Sequence, residues 1–140
     1  MAKNELANAI YRLGHLERVL VDKELAPLNL RMNHARVLHF IDEHPGCLQK
    51  DVSEYLDYQA ASLTNLINFL EKRKMLVREV DPQNGRQRQL FLLDKGKEAV
   101  KKSDAVFAKL NKLVGDLDPK LEQIINEKIK YLEKVSGLSN

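Results

Sequence analysis

The chain has 140 residues, 44% of them hydrophobic and 31% charged, with one cysteine and a formal charge of +3. That length suits a single domain that buries a core without metal or disulfide staples, and a lone Cys47 excludes an internal bridge and agrees with a reducing compartment. The opening MAKNELANAIYRLGHL lacks the long apolar run of a signal peptide or membrane span, so a cytoplasmic protein with no membrane partner is expected.

Along the chain, Leu6, Ile10, Leu13, Leu16 and Leu20 recur at steps of four, three, three and four. They give a first helix an apolar stripe about as wide as a coiled-coil seam, and Pro27 ends that helix. A second helix is expected from an Asn33 N-cap through Val37, Leu38, Phe40 and Ile41 to His44, with Pro45-Gly46 as its stop. LQKDVSEYL follows, with Leu48, Val52 and Leu56 four apart on one face. After a short turn, a further helix opens with Gln59, Ala60, Ala61 and Ser62 and buries Leu63, Leu66, Ile67 and Leu70. MLVREV and RQLFLL then flank DPQNGRQ as a hairpin turning at Asn84-Gly85, with Arg86 and Arg88 at its tip. Val106, Leu110, Leu113 and Leu117 stripe the next helix; Asp118-Pro119 starts a last one, striped by Leu121, Ile125, Ile129 and Leu132.

Helix, turn, helix and basic hairpin, in that order, make a winged helix-turn-helix. The expected fold is mainly α with a small antiparallel β-hairpin. It is a single domain over 1–140, with a DNA-binding lobe at about 33–100 and dimerisation helices at about 3–26 and 101–136. A lobe of about 60 residues cannot cover both terminal stripes, and uncovered apolar stripes of that size mark a partner surface, most simply a second copy in a homodimer. Packing of the end helices on their own domain is the alternative. Charge is concentrated as well: residues 72–102 hold ten basic and four acidic side chains, an excess of six, which leaves −3 for the rest of the chain. Such a local positive field is the footprint of a polyanion partner.

In a helix-turn-helix the start of the second helix faces base edges, which nominates Gln59, Ala60, Ala61, Ser62 and Asn65 for readout of double-stranded DNA. Gln and Asn pair bidentately with adenine and Ala touches a thymine methyl, so an A·T-rich operator is expected. Helix propensity and capping explain Ala60, Ala61 and Ser62 individually about as well. Thr64 and Asn68 are placed near phosphates. Arg86, at an exposed tip, suits a narrow minor groove, while Arg88 and Arg78 meet phosphates or support the wing. No metalloprotease, phosphate-loop or nucleophile-elbow motif is present, and no cysteine cluster; the four histidines lack pairing at i, i+4. An enzyme is therefore not expected, and neither is a metal or cofactor. A winged-helix protein–protein adaptor is the remaining alternative, for which an acidic or apolar wing would be more natural.

The run LEKRKMLVREVDPQNGRQRQLFLLDKGKE resembles the signature of the multiple-antibiotic-resistance-regulator (MarR) family, with Asp81, Pro82, Arg86, Leu92 and Gly96 at matching positions. The likeness runs from Leu30 to about Val100, and the flanking helices agree in type and order. Three positions depart from the pattern. Lys74 stands where glycine is usual, which demands a left-handed C-cap at about 1 kcal/mol. Asn84 replaces an aspartate that could hold a wing arginine, and Leu93 replaces a threonine N-cap, leaving Asp94 at the helix start. The resemblance implies a ligand-responsive repressor, with a small aromatic or phenolic effector bound between dimer helices and DNA-binding lobe, or oxidation of a cysteine near the first helix. Cys47 is badly placed for the second route and reads as a spectator. Tyr11, His15, Met32, His39 and Phe40 could line an effector pocket, though such residues in helices are more often plain core.

Overall fold

The computed structural model describes residues 5–115 and 119–137. Its elements are α1 (Glu5–Leu25), a 3-10 turn (Ala26–Leu28), α2 (Met32–Glu43), β1 (Cys47–Leu48), α3 (Gln49–Leu56), α4 (Ala60–Lys72), β2 (Leu76–Asp81), β3 (Asn84–Leu92), α5 (Asp94–Gly115) and α6 (Pro119–Ser136). The expected stripe residue Leu117 and helix start Asp118 lie outside the described residues. Two compact units, Met1–Val106 and Phe107–Asn140, divide the chain.

In the first unit the core is built where the apolar periods converge: Leu38 and Ile41 of α2, Val52 of α3, Leu63, Ile67 and Leu70 of α4, and Leu76 and Leu90 of the sheet are fully buried. From α1 only Val21 and Leu25 join them. The other apolar stripe of α1 points to solvent, with Leu6 75% and Ile10 62% exposed. In the second unit, α6 has no buried residue, and Ile125, Ile129 and Leu132 are exposed.

The sheet has three strands, in the order β1-β3-β2, both pairings antiparallel. The sequence led to a two-stranded hairpin; the third strand is Cys47–Leu48, whose partners are Leu90 and Gln89. Gly46 brings it into register: its φ of +84° turns the chain after α2, and its N–H donates to the Leu90 carbonyl at 2.9 Å. α2 begins at Met32 rather than after an Asn33 cap. The reason is tertiary, since the Met32 N–H donates to Asp22 Oδ1 of α1 at 2.7 Å and the Arg31 N–H to His34 Nδ1 at 3.0 Å.

α4 ends as Lys74 requires. Lys74 has φ +59°, its N–H donates to the Glu71 carbonyl at 2.9 Å, and the Met75 N–H reaches the Leu70 carbonyl at 3.0 Å. Those two bonds form a Schellman closure. Met75 then becomes a junction: its carbonyl accepts the Leu93 N–H at 2.9 Å, and a Cβ on Gly96 would overlap the same carbonyl oxygen. Glycine at 96 is thus what lets α5 start against the end of α4. Further along α5, Ser103 is buried and Asp104 exposed, and both approach His39 Nε2 of α2, at 3.2 and 3.0 Å.

Candidate nucleic-acid interface

The turn between α3 and α4 is set by local hydrogen bonding. Asp57 takes a left-handed conformation (φ +53°), the Tyr58 N–H donates to the Ser53 carbonyl at 3.1 Å, and Ser53 Oγ donates back to the Tyr58 carbonyl at 2.6 Å. Gln59 follows in an extended conformation as the N-cap of α4, with no capping bond from its side chain. Gln59, Ala60, Ala61, Ser62 and Asn65 are all exposed along the opening of the helix. Among the described residues, the side-chain amides of Gln59 and Asn65 have no protein partner.

Thr64 and Asn68 differ from these. Thr64 Oγ1 accepts from Gln49 Nε2 at 2.8 Å and donates to the Ala60 carbonyl at 2.9 Å, so its hydroxyl ties α4 to α3. Asn68 Oδ1 accepts from Arg78 Nη2, and Arg78 Nε lies 3.5 Å from Glu71 Oε2. Arg78 therefore supports the wing from behind.

The wing turns earlier than its Asn-Gly pair suggests. The chain reverses at Pro82 and Gln83, and neither Asn84 nor Gly85 has a positive φ, so the two-residue Asn84-Gly85 turn is replaced. Two side chains explain the shift. Asp81 Oδ1 accepts the Gln83 N–H at 2.9 Å around Pro82, whose ring presets φ, and Asn84 Oδ1 accepts the Arg86 N–H at 3.1 Å. The ladder pairs Val80 with Arg88 and then jumps to Asp81 with Asn84, which puts Gly85, Arg86 and Gln87 outside it as a bulge. Arg88 Nη1 donates to the carbonyls of Gly85 (3.0 Å) and Gln87 (3.2 Å) and so braces that bulge. Arg86 rides on it, exposed, and has no side-chain partner among the described residues.

Between the first turn of α3 and the wing runs a groove of about 260 Å³, lined by Leu48, Gln49, Lys50, Arg78, Gln87, Arg88 and Leu90. Lys50, which the sequence reading did not single out, lines this groove from the first turn of α3.

A larger cleft, about 990 Å³, lies between α1, the start of α2 and α4, lined among others by Arg18, Lys23, Arg31, Met32, His34, Leu66 and Phe69. His34 stacks on the Phe69 ring with centroids 4.4 Å apart, and the Arg73 guanidinium carbon lies 4.4 Å from the same ring centroid. Burial, then the charges of Arg31 and Arg73, hold His34 below the ordinary imidazole range against the opposing pull of Asp22. Of the five residues named for an effector pocket, only Met32 lines this cleft. Tyr11 and His15 are exposed on α1, His39 is bound to α5, and Phe40 is buried with its ring stacked on His44.

Residues 28–87 match the model of the MarR family. Across 96% of the chain the fold is similar to the crystal structure of Staphylococcus aureus MepR in complex with DNA, with TM-score 0.85, 21% identity and 99% of that chain covered. It is similar also to CouR from Rhodococcus jostii RHA1 bound to p-coumaroyl-CoA, with TM-score 0.82, 20% identity, 96% of this chain and 94% of that one. The transcriptional repressor CouR bound to a 23-mer DNA duplex gives TM-score 0.76, 21% identity and the same coverages, 96% and 94%. Residues 28–87, which hold the helix-turn-helix and much of the wing, are thus similar to the MarR family, and the three-stranded antiparallel sheet and the agreement over 96% of the chain show the same winged-helix fold.

Proposed function

We propose that the chain is a sequence-specific DNA-binding transcription regulator, not an enzyme, that acts in the cytoplasm as a homodimeric, ligand-responsive repressor on an inverted-repeat operator. The observation that carries this reading is the pairing of the exposed Gln59 and Asn65 amides at the opening of α4 with a bulged wing that presents Arg86, all three side chains without a partner among the described residues. The first chemistry suits base edges in a major groove and the second an adjacent minor groove. MepR and CouR, whose folds are similar, have both been solved with DNA. An adaptor would more naturally carry an acidic or apolar wing than an exposed Arg86 on the bulge.

Selection of duplexes from a random-sequence pool, followed by affinity titrations, tests the proposal. Gln59→Ala or Asn65→Ala should cost about 1 to 3 kcal/mol on the recovered duplex and little on scrambled DNA. Arg86→Ala should weaken binding and flatten its salt dependence. A wild-type protein that enriches no sequence, or equal losses on selected and scrambled duplexes, would remove the readout role from α4.

For the effector, the support is the cleft beside α4. Phe69 and Leu66 supply an apolar wall for a small aromatic or phenolic ring, while Arg18, Lys23 and Arg31 on the lining suit its carboxylate or phenolate. CouR has been solved with p-coumaroyl-CoA, itself a phenolic thioester. Thermal-shift screening of aromatic acids against wild type and Arg31→Ala tests this assignment.

A further inference from the structure

The wing is held to the rest of the lobe unevenly. β1 pairs only with Leu90 and Gln89, so beyond the rung of Glu79 and Gln89 the hairpin is a two-stranded ribbon, and Val80 on it is 56% exposed. A two-stranded ribbon is marginal by itself in water and twists readily. Its direction has to be set near its base. Arg78 stands there, one rung before the third strand ends, and its side chain reaches back to α4. Nη2 donates to Asn68 and Nε faces Glu71. Asn68 and Glu71 are three apart, hence on one face of α4, and a rigid guanidinium fork can engage both at once where an ammonium point charge could not.

We propose that Arg78 is a positioning residue that locks the wing to the DNA-reading helix, so that Arg86 and the opening of α4 approach a duplex as one rigid unit. The proposal rests on the DNA-binding reading. Arg78 suits this role better than a phosphate contact of its own, because Glu71 already offsets its charge and Asn68 occupies a donor. Arg86 has neither kind of partner among the described residues. Gln49 and Thr64 make the corresponding tie between α3 and α4 at 2.8 Å, which leaves the wing as the part of the reading surface whose orientation depends on Arg78.

The test uses the full chain and the duplex that wild type recovers from a random pool. Arg78→Gln should weaken binding roughly tenfold, and in that background the further loss from Arg86→Ala should shrink from roughly tenfold to under about twofold. Glu71→Gln gives the sharper contrast. Removing a negative charge near a polyanion should tighten binding if charge alone counts, whereas loss of the lock should weaken it several-fold. Gln59→Ala should retain its full effect in every background. In the free protein, amide relaxation at Arg86 should report greater mobility in Arg78→Gln while the α4 amides stay ordered. Multiplicative losses for Arg78→Gln and Arg86→Ala, tighter binding by Glu71→Gln, or an Arg86 amide of unchanged order would each overturn the proposal. A wild-type chain that recovers no duplex would instead defeat the DNA-binding reading, and the relaxation measurement would still decide whether Arg78 holds the wing.

Discussion

Among the described residues, Cys47 and His34 are the two side chains whose ionisation the fold clearly displaces. Burial, and after it the Asp51 carboxylate, push the Cys47 thiol up to about 11. Asp51 is held beside it because its Oδ2 accepts the Leu48 N–H at 2.8 Å. Only the thiolate is nucleophilic, so alkylation by iodoacetamide at neutral pH should run about a hundredfold slower than at an exposed thiol. Mild peroxide should leave DNA affinity unchanged. Stoichiometric alkylation within minutes would restore Cys47 as a redox sensor. For His34 the sign is opposite in consequence. Its folded pKa lies below the unfolded value of 6.5, so the unfolded chain binds the extra proton more readily. The stability this contributes is present above the unfolded value and is lost as pH falls through the folded one. Its Nδ1 accepts the Arg31 N–H at 3.0 Å and cannot do so once protonated. Thermal unfolding followed by circular dichroism should show melting that falls on acidification below about pH 6.5, with a shallower fall in His34→Gln. Parallel pH profiles for the two proteins would contradict this account.

Among the elements, the junction of α4, β2 and α5 is the most sharply constrained. Lys74→Gly removes the left-handed penalty and should stabilise the fold by about 1 kcal/mol, whereas Gly96→Ala must displace the Met75 carbonyl and should cost about 2 kcal/mol or more. Denaturant titrations of both variants read the two signs directly; a neutral Gly96→Ala would mean that α5 shifts freely at its start. The strain at Lys74 was legible in the sequence, because one residue type stood where the geometry needs another. Helices were legible for a similar reason, since Leu63, Ile67 and Leu70 announce a buried face by spacing alone. β1 was not: two residues have no measurable period, and Cys47–Leu48 become a strand only because Leu90 is there to receive them. Asn84-Gly85 carried the strongest turn signal in the chain, yet Asp81 and Pro82 reverse it first through a side-chain bond that spacing does not reveal. In the interface, Gln59 and Asn65 are exposed where the motif puts them. The ties made by Thr64 and Asn68 were hidden because each depends on a partner from another element, whereas support of the wing was one of the two roles the sequence offered for Arg78.

At the scale of the whole molecule, apolar surface is left over. Leu6, Ile10 and Leu13 on α1, and Ile129, Leu132 and Val135 on α6, are exposed in the single chain, and stripes of that kind normally find a partner. Light scattering at micromolar concentration should return about twice the 16.1 kDa of one chain. Leu16→Glu combined with Ile129→Glu should lower the mass toward that of the single chain, and with it the operator affinity. Two copies related by a two-fold axis would address half-sites about 10 bp apart on one face of the duplex. A stable wild-type monomer would rule this assembly out. The wing bulge matters for how such an assembly could diversify. The ladder from Leu76–Leu92 to Val80–Arg88 closes before Gly85, Arg86 and Gln87 leave it, so residues can be gained or lost there without a frameshift in strand register. In the proposed complex, reach into the minor groove is thereby an inheritable length, adjustable one residue at a time while α4 stays as it is.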